Sequence, residues 1–121
     1  SVQPDRDMME LAESITSNLV REEKTEINID KVQSAVCEYF NLTREDLLSK
    51  SRKRQIVQAR QIAMYLCRQM TQDTNQTIAE KLHRKDHSTV IYGSKQIAND
   101  LLTDEQLKNT IDILMKKIDP N

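Results

Sequence analysis

The sequence predicts an all-helical domain, for three reasons. Helix breakers are rare, because the 121 residues include one glycine and two prolines, and the prolines are Pro4 and Pro120 at the two ends. Apolar residues recur at helical spacing, and strand-like alternation is scarce. The hydrophobic content of 37% suffices for one small core, so a single domain with at most a short appendage is expected.

Helices are predicted in chain order from their apolar stripes and their capping residues. The first is predicted over residues 5–22, with one apolar and one acidic face. Four later helices are each expected to follow an N-cap, and these caps are Asp30, Thr43, Thr74 and Thr103. Thr103 with Gln106 three residues on matches a capping box, and Thr43 with Asp46 three residues on is close to one.

Charge is distributed unevenly along the chain, although its net value is only −1. Residues 1–30 hold three basic and eight acidic side chains, residues 31–98 hold twelve and six, and residues 99–121 hold three and five. A basic loop at residues 49–54 and a long predicted helix over 55–70 contain no acidic residue. A basic segment of this kind indicates a polyanionic partner. The alternative is a solvated helix face, although such faces usually mix both signs.

A short helix, a turn and a longer helix are predicted in the second half, which is the helix-turn-helix arrangement. The first helix is expected over residues 75–82, the turn over 83–87 and the second helix over 88–101. If the apolar positions of the second helix face the core, its opposite face is polar. The core positions are Val90, Ser94, Ile97 and Leu101, and the opposite positions are Ser88, Tyr92, Lys95 and Asn99.

Side chains near the start of this second helix have the chemistry that recognises a major groove. Ser88 and Thr89 offer hydroxyl groups to base edges, Asp86 can accept a hydrogen bond from cytosine N4, and His87 can donate to a base or a phosphate. Structural explanations stay open for the same residues. Asp86 or Ser88 can be a plain N-cap, and Tyr92 can be half-buried packing.

The basic residues upstream also have two explanations. Arg52, Lys53 and Arg54 have no evident structural role in a loop, so DNA contact is favoured for them. Arg60 lies within the long helix, where it can form an internal ion pair or reach a phosphate.

The same stretch does not support a metal site or a catalytic site. His83 and His87 are four residues apart, but a predicted turn separates them and no Cys or acidic ligand has matching spacing. Asp86 beside His87 lacks a nucleophile elbow. Gly93 is the only glycine, so no glycine-rich phosphate loop can form. We therefore expect no enzyme activity, no catalytic residue, no metal and no cofactor in this chain.

The chain carries no sign of export or membrane insertion. No apolar run is long enough to span a bilayer, and the N-terminal residues lack a signal-peptide core. Cys37 and Cys67 lie in helix-patterned segments and are interpreted as buried thiols rather than a disulfide. A cytoplasmic, nucleoid-associated protein is expected.

Two segments of the sequence resemble a known family. The segments DLLSKSRKRQIVQARQIAMYL and RKDHSTVIYGSKQI occur in the order and spacing of the C-terminal DNA-binding domain of the DnaA family, the bacterial chromosomal replication initiators, and the resemblance extends over residues 27–118. It implies an all-helical, Trp-repressor-like bundle with a helix-turn-helix that binds asymmetric, A/T-rich DnaA boxes in double-stranded origin DNA. It also implies that residues 1–26 are a connector helix from a missing ATPase lid and that residues 27–121 are the DNA-binding domain. ATP binding and contacts with other initiator copies would belong to the full-length protein.

The resemblance also implies roles for individual residues. Bases would be read in the major groove by Asp86, His87, Ser88, Thr89 and Tyr92, and in the adjacent minor groove by Arg52. The DNA backbone would be contacted or approached by Lys53, Arg54, Arg60, Gln61, Arg68, Asn75, Gln76, Lys85 and Lys95.

This sequence departs from the family pattern at four positions. Glycines are usual in place of His83 and Arg84, so a different or strained turn is expected. Histidine is common in place of Tyr92 and alanine in place of Gly93, and the glycine weakens the helix by about 1 kcal/mol. Two other functions are kept open, namely a helix-turn-helix transcription factor on a palindromic site and a helical adaptor that binds protein.

Overall fold

The structure is a computed structural model that describes residues 27–120, and this part of the chain contains six helices and no strand. In chain order they are α1 (Ile29–Phe40), α2 (Arg44–Leu48), α3 (Arg54–Met70), α4 (Asn75–Lys81), α5 (His87–Asp100) and α6 (Glu105–Ile118). The all-helical prediction is confirmed. None of these six helices is long and apolar enough to cross a membrane. The helix predicted over 5–22, and with it the connector assigned to residues 1–26, lies outside the described residues.

The longest of these helices, α3, lies at the centre of the bundle and contacts α1, α2, α4 and α5. Its fully buried side chains include Ala59, Ile62, Ala63, Leu66 and Cys67. These residues recur at intervals of three and four, so they form one apolar face along the helix. The most extensive contact of α3 is with α5, which seats the helix-turn-helix directly on the core. The last helix, α6, packs mainly against α1.

Two of the predicted caps are confirmed. The Asp46 N–H donates to Thr43 Oγ1 over 3.0 Å, and the Thr43 N–H donates to Asp46 Oδ2 over 3.3 Å, which completes the capping box. Thr74 accepts the Thr77 N–H over 3.1 Å and so begins α4. These bonds satisfy N–H groups that a helix leaves unpaired in its first turn.

The other two caps differ from the prediction. The cap of α1 is Asn28, whose Oδ1 accepts a backbone N–H over 2.8 Å, and Asp30 lies instead inside the first turn. A carboxylate in that turn interacts favourably with the helix dipole. The cap of α6 is Asp104, whose Oδ1 accepts a backbone N–H over 3.0 Å, and Thr103 precedes it. At the start of α1, Asn28 and Asp30 are equally good caps by residue type, so the sequence alone does not decide between them, whereas at the start of α6 Asp104 is by type a better cap than Thr103.

The two cysteines are free and buried, as the sequence predicted. Burial raises the pKa of the Cys67 thiol to about 12. The pKa of Cys37 is also raised, mainly by burial. Both side chains therefore act as small apolar core residues.

Candidate nucleic-acid interface

The turn of the helix-turn-helix is closed by backbone hydrogen bonds. At the end of α4, the His83 N–H donates to the Glu80 carbonyl over 3.1 Å, and the Arg84 N–H donates to the Ala79 carbonyl over 2.8 Å. This pair of bonds is a Schellman motif. His83 adopts the left-handed conformation that the motif requires, with a φ of 57°, which costs about 1–2 kcal/mol for a residue with a Cβ. Arg84 lies outside the left-handed region, so only one of the two residues found in place of glycine is strained.

The first turn of α5 begins at His87, one residue earlier than predicted, after the N-cap Asp86. Asp86 Oδ1 accepts the Ser88 N–H over 3.0 Å, and this bond lowers the pKa of the Asp86 carboxyl. His87 Nδ1 lies 3.5 Å from the same oxygen, and the two side chains are 56% exposed for His87 and 64% exposed for Asp86. Asp86 can therefore cap the helix and still face a ligand. Within the part of the chain that the structure describes, no three His, Cys, Asp or Glu side chains are grouped as a metal site requires.

The two faces of α5 follow the predicted division. Val90, Ser94 and Ile97 are at most 3% exposed, while Leu101, just beyond the helix end, is half-buried. The exposed face carries Ser88, Tyr92, Lys95 and Asn99. Tyr92 is 65% exposed, so the explanation of this side chain as half-buried packing is wrong.

Serine residues order the basic loop from within. Ser49 Oγ donates to the Asp46 carbonyl over 2.7 Å, the Ser51 N–H donates to Ser49 Oγ over 3.2 Å, and the Lys53 N–H donates to Ser51 Oγ over 3.2 Å. The loop ends one residue earlier than predicted, because α3 already begins at Arg54. The exposed basic side chains of this segment are Lys50, Arg52, Lys53 and Arg54.

Two arginine side chains from different parts of the fold also hold the basic loop. Arg60, on α3, donates through Nε to the Leu47 carbonyl over 3.1 Å. Its Nη2 donates to the carbonyls of Ser49 and Ser51 over 2.7 and 3.2 Å. Arg84, in the turn, donates through its own Nη2 to the same Ser49 carbonyl over 2.7 Å. One loop carbonyl therefore accepts hydrogen bonds from two guanidinium groups.

Arg60 is an internal residue of the fold. It is only 7% exposed, and burial, followed by the charge of Arg84, lowers the pKa of its guanidinium. Its described hydrogen-bond partners are backbone carbonyls rather than carboxylates. Among the residues that the structure describes, Arg60 forms no ion pair, and its guanidinium instead anchors the basic loop.

One cleft lies between the basic loop and the start of α5. The loop contributes Lys50, Ser51 and Arg52 to its lining, α3 contributes Val57 and Arg60, and the turn and α5 contribute His83, Arg84, Lys85, Asp86 and Thr89. Basic side chains lie on both walls, and Asp86 is the single acidic residue of the lining. The cleft therefore has a positive potential that suits a polyanion.

Some of the remaining predicted contact residues lie beside this cleft. Arg54, Gln61 and Tyr92 line a neighbouring depression between α3 and α5, which shares Val57 with the cleft. Lys95 is exposed one turn beyond Tyr92 on α5. The exposed face of α5 thus continues the surface that begins at the basic loop.

Three predicted residues are set apart from the cleft lining. Arg68 is exposed near the end of α3, where its Nη1 donates to Ser94 Oγ over 2.7 Å. Asn75 and Gln76 lie at the N-terminal end of α4, opposite the end that enters the turn. Asn75 is half-buried and Gln76 is exposed.

Sequence reasoning missed how the loop is built. The side-chain roles of Arg60, Arg84, Ser49 and Ser51 within the fold were not predicted, because their partners include backbone groups that every residue carries. The only available signal was the alternation of serine and basic residues at 49–52, which is typical of short side-chain-to-backbone turns.

Comparison with known proteins identifies relatives of this chain. The family model described as bacterial DnaA protein helix-turn-helix matches residues 29–97. The chain is 38% identical over 110 residues to the chromosomal replication initiator protein DnaA of Flavobacterium psychrophilum. It is 37% identical over 111 residues to the protein of the same name from Lachnoclostridium phytofermentans. These alignments cover 91% of this chain but only 23% and 24% of the two relatives.

A solved structure supports the same relationship. A crystal structure of a DNA replication initiation factor superposes on this chain with a TM-score of 0.65 at 32% identity. The superposition covers 74% of this chain and 28% of the other. The family model matches more than half of the 121 residues. The chain therefore belongs to the bacterial DnaA protein helix-turn-helix family.

Proposed function

We propose that this chain binds duplex DNA in a sequence-specific way, at DnaA boxes of a replication origin, as part of a chromosomal replication initiator. The observation that carries the proposal is the cleft whose two walls are the basic loop and the first turn of α5. A flexible basic tail can bind any polyanion, whereas two ordered walls can engage neighbouring grooves of one duplex. Membership of the DnaA helix-turn-helix family agrees with this function.

The first turn of α5 is proposed to read bases in the major groove. Asp86, His87, Ser88 and Thr89 are all exposed there. Their carboxylate, imidazole and hydroxyl groups match the donors and acceptors of base edges. Tyr92 lies one turn further along the same exposed face.

The basic loop is proposed to enter the adjacent minor groove. Arg52 is exposed on the loop side of the cleft, and a guanidinium group is favoured in the narrow minor groove of A/T-rich DNA. The proposed backbone contacts are Lys53, Arg54, Gln61, Arg68, Asn75, Gln76, Lys85 and Lys95. The resemblance also implies a backbone contact for Arg60. We propose instead that Arg60 acts by holding the basic loop, since its side chain is buried.

Binding rather than catalysis is proposed as the activity of this chain. ATP binds the full-length proteins by resemblance, but this chain does not fit it, because its only glycine lies inside α5 and cannot form a phosphate loop. The chain spans 23% and 24% of the length of its two relatives. We therefore assign ATP binding and assembly with other initiator copies to the full-length protein. Its site of action is proposed to be the chromosomal DNA of the cytoplasm.

Fluorescence anisotropy tests the proposal directly. The probes are a duplex that bears a DnaA box and a scrambled duplex of equal composition, each titrated across a salt series. We expect a strong preference for the box and a slope of log K against log salt of about −4 to −5, which corresponds to about five neutralised phosphates. Ser88→Ala and Thr89→Ala should abolish the preference, whereas Arg54→Ala should weaken binding to both duplexes. Lys108→Ala removes an exposed charge on α6, away from the cleft, and serves as the matched control.

The rival functions predict different results. Equal and steeply salt-dependent binding to both duplexes would leave a generic basic surface and contradict the proposal. A two-to-one complex on a palindromic site would favour a dimeric transcription factor. Absence of DNA binding, together with salt-insensitive binding to a protein, would favour an adaptor.

A further inference from the structure

We infer that Arg84 is a positioning residue that fixes the basic loop relative to the first turn of α5 and thereby couples the two DNA-contacting parts of the domain. The inference rests on the proposed function. It assigns a role to a side chain that lies between the two proposed reading elements and is not one of the proposed base contacts.

The hydrogen bonds of Arg84 join two distant parts of the chain. Its Nη2 donates to the carbonyls of Leu48 and Ser49 over 3.0 and 2.7 Å, at sequence separations of 36 and 35 residues. Its Nε donates to the Leu82 carbonyl over 3.0 Å, which fixes the direction of the side chain. Arg84 is thus bound at one end to the turn and at the other to the start of the loop.

The backbone of Arg84 is itself held in place. Its N–H closes the Schellman motif at the end of α4 with the Ala79 carbonyl. The cap of α5, Asp86, follows only two residues later. A shift of the loop relative to Arg84 is therefore also a shift of the loop relative to the start of α5.

Arg84 and Arg60 hold the basic loop against different parts of the fold. Arg60 ties the loop to α3, because its guanidinium reaches the loop from the core. Arg84 ties the loop to the helix-turn-helix. Removal of Arg84 leaves the loop attached to the core by Arg60, so the domain stays folded while the distance between the loop and α5 becomes free to vary.

The neighbouring residue gives a contrast. Lys85 is exposed and lines the cleft, so its ammonium group is available to a phosphate. Arg84 is half-buried, and two of its guanidinium nitrogens donate to protein carbonyls. Two adjacent cations are therefore proposed to act differently, Lys85 directly on DNA and Arg84 through the position of the loop.

A double-mutant cycle with Arg52 tests the inference. Binding is measured by anisotropy with the box duplex and with a duplex in which A·T pairs flanking the major-groove site are changed to G·C. The ratio of the two affinities reports minor-groove reading by the loop. Arg84→Ala should reduce this ratio by about tenfold in an otherwise unchanged chain and should not reduce it further in the Arg52→Ala background. The preference that depends on Ser88 should change little.

Matched variants separate positioning from other effects. Lys85→Ala should weaken binding to both duplexes equally. Its loss of affinity should add to that of Arg52→Ala, because a phosphate contact is independent of the loop. Arg84→Lys should recover part of the ratio, since an ammonium group can still donate to the Ser49 carbonyl. Thermal unfolding is recorded for every variant, and if Arg84→Ala is unfolded at the assay temperature, Arg84→Gln and Arg84→Lys take its place in the cycle.

The outcomes are distinguishable. If the effects of Arg84→Ala and Arg52→Ala on the affinity ratio add, and each substitution reduces the magnitude of the salt slope, Arg84 is a direct phosphate contact and the inference is overturned. An unchanged ratio for Arg84→Ala would overturn it as well. If the unsubstituted chain has no preference for the box, the proposed function fails, and the inference fails with it for that separate reason.

Discussion

Replacement of Arg60 by alanine is expected to destabilise the domain by about 3 kcal/mol. The substitution removes the three hydrogen bonds that its guanidinium donates to carbonyls, at 2.7 to 3.2 Å. Loss of the buried bond to Leu47 costs about 1–3 kcal/mol. The Ser49 carbonyl keeps its bond from Arg84, and water can reach the half-buried Ser51, so those two losses are smaller. The buried alkyl stem of Arg60 contributes about a further 1 kcal/mol.

Urea unfolding followed by circular dichroism measures this change. With an m-value of about 1–2 kcal/mol per molar urea, the midpoint should fall by about 2 M. Arg54→Ala removes an exposed arginine from the same helix and should change the free energy of unfolding by less than about 0.5 kcal/mol. Arg60→Lys should recover only part of the loss, because a single ammonium group cannot reproduce the forked donors of a guanidinium.

One combination of results would refute this reasoning. If Arg60→Ala unfolds at the midpoint of the unsubstituted protein, the side chain is not an anchor. A simultaneous decrease of about 0.9 in the magnitude of the salt slope of DNA binding would then identify Arg60 as a phosphate contact.

Three further predictions follow from the buried packing and the caps. A Cβ added at Gly93 would lie 2.6 Å from Met64 Sδ. Gly93→Ala should therefore lower the free energy of unfolding in urea by about 1 kcal/mol, because the strain of overpacking exceeds the gain in helix propensity. A stabilised variant would show that Met64 moves freely. The pKa of Asp86 is lowered from its ordinary 3.8, so the carboxylate stabilises the fold above pH 3.8, and this contribution is lost as the pH falls through the lowered pKa. Asp86→Asn should therefore make the melting temperature less dependent on pH below about 4. An unchanged pH dependence would exclude the bond between the Asp86 carboxylate and the Ser88 N–H. Burial raises the pKa of both Cys37 and Cys67, so iodoacetamide at about pH 8 should label neither thiol in the native protein and both in denaturant. Mass spectrometry measures the labelling. Rapid labelling of the native protein would contradict the burial of the two thiols.

Within residues 27–120, the helices and the turn could be predicted from the sequence because local signals determine them. The spacing of Val90 and Ile97 indicated the buried face of α5, and Thr43 with Asp46 indicated the start of α2. These signals act within a few residues, where propensity, capping and amphipathicity decide the structure. The exposed face of α5, with Tyr92, follows from the same periodicity.

The organisation of the basic loop could not be predicted in the same way. The carbonyls of residues 47–51 that accept from Arg60 and Arg84 lie 9 to 36 residues away from their donors, and a backbone carbonyl has no signature in the sequence. A run of basic residues predicts an anion partner but does not distinguish a cation that meets the ligand from one that supports the loop. Burial makes that distinction, and burial is a property of the tertiary structure.

The bridge between residue 84 and residues 48 and 49 has a consequence for the order of events during synthesis. The hydrogen bonds within a helix join residues four apart, so each helix has all of its own bonding partners once its segment has been made. The loop carbonyl of Ser49, by contrast, must wait until about 35 further residues have been made before its second donor arrives. A chain that stops short of the turn would have a basic loop but not its fixed position. Competence to recognise a particular DNA sequence is therefore expected late in folding, after general affinity for DNA has already appeared.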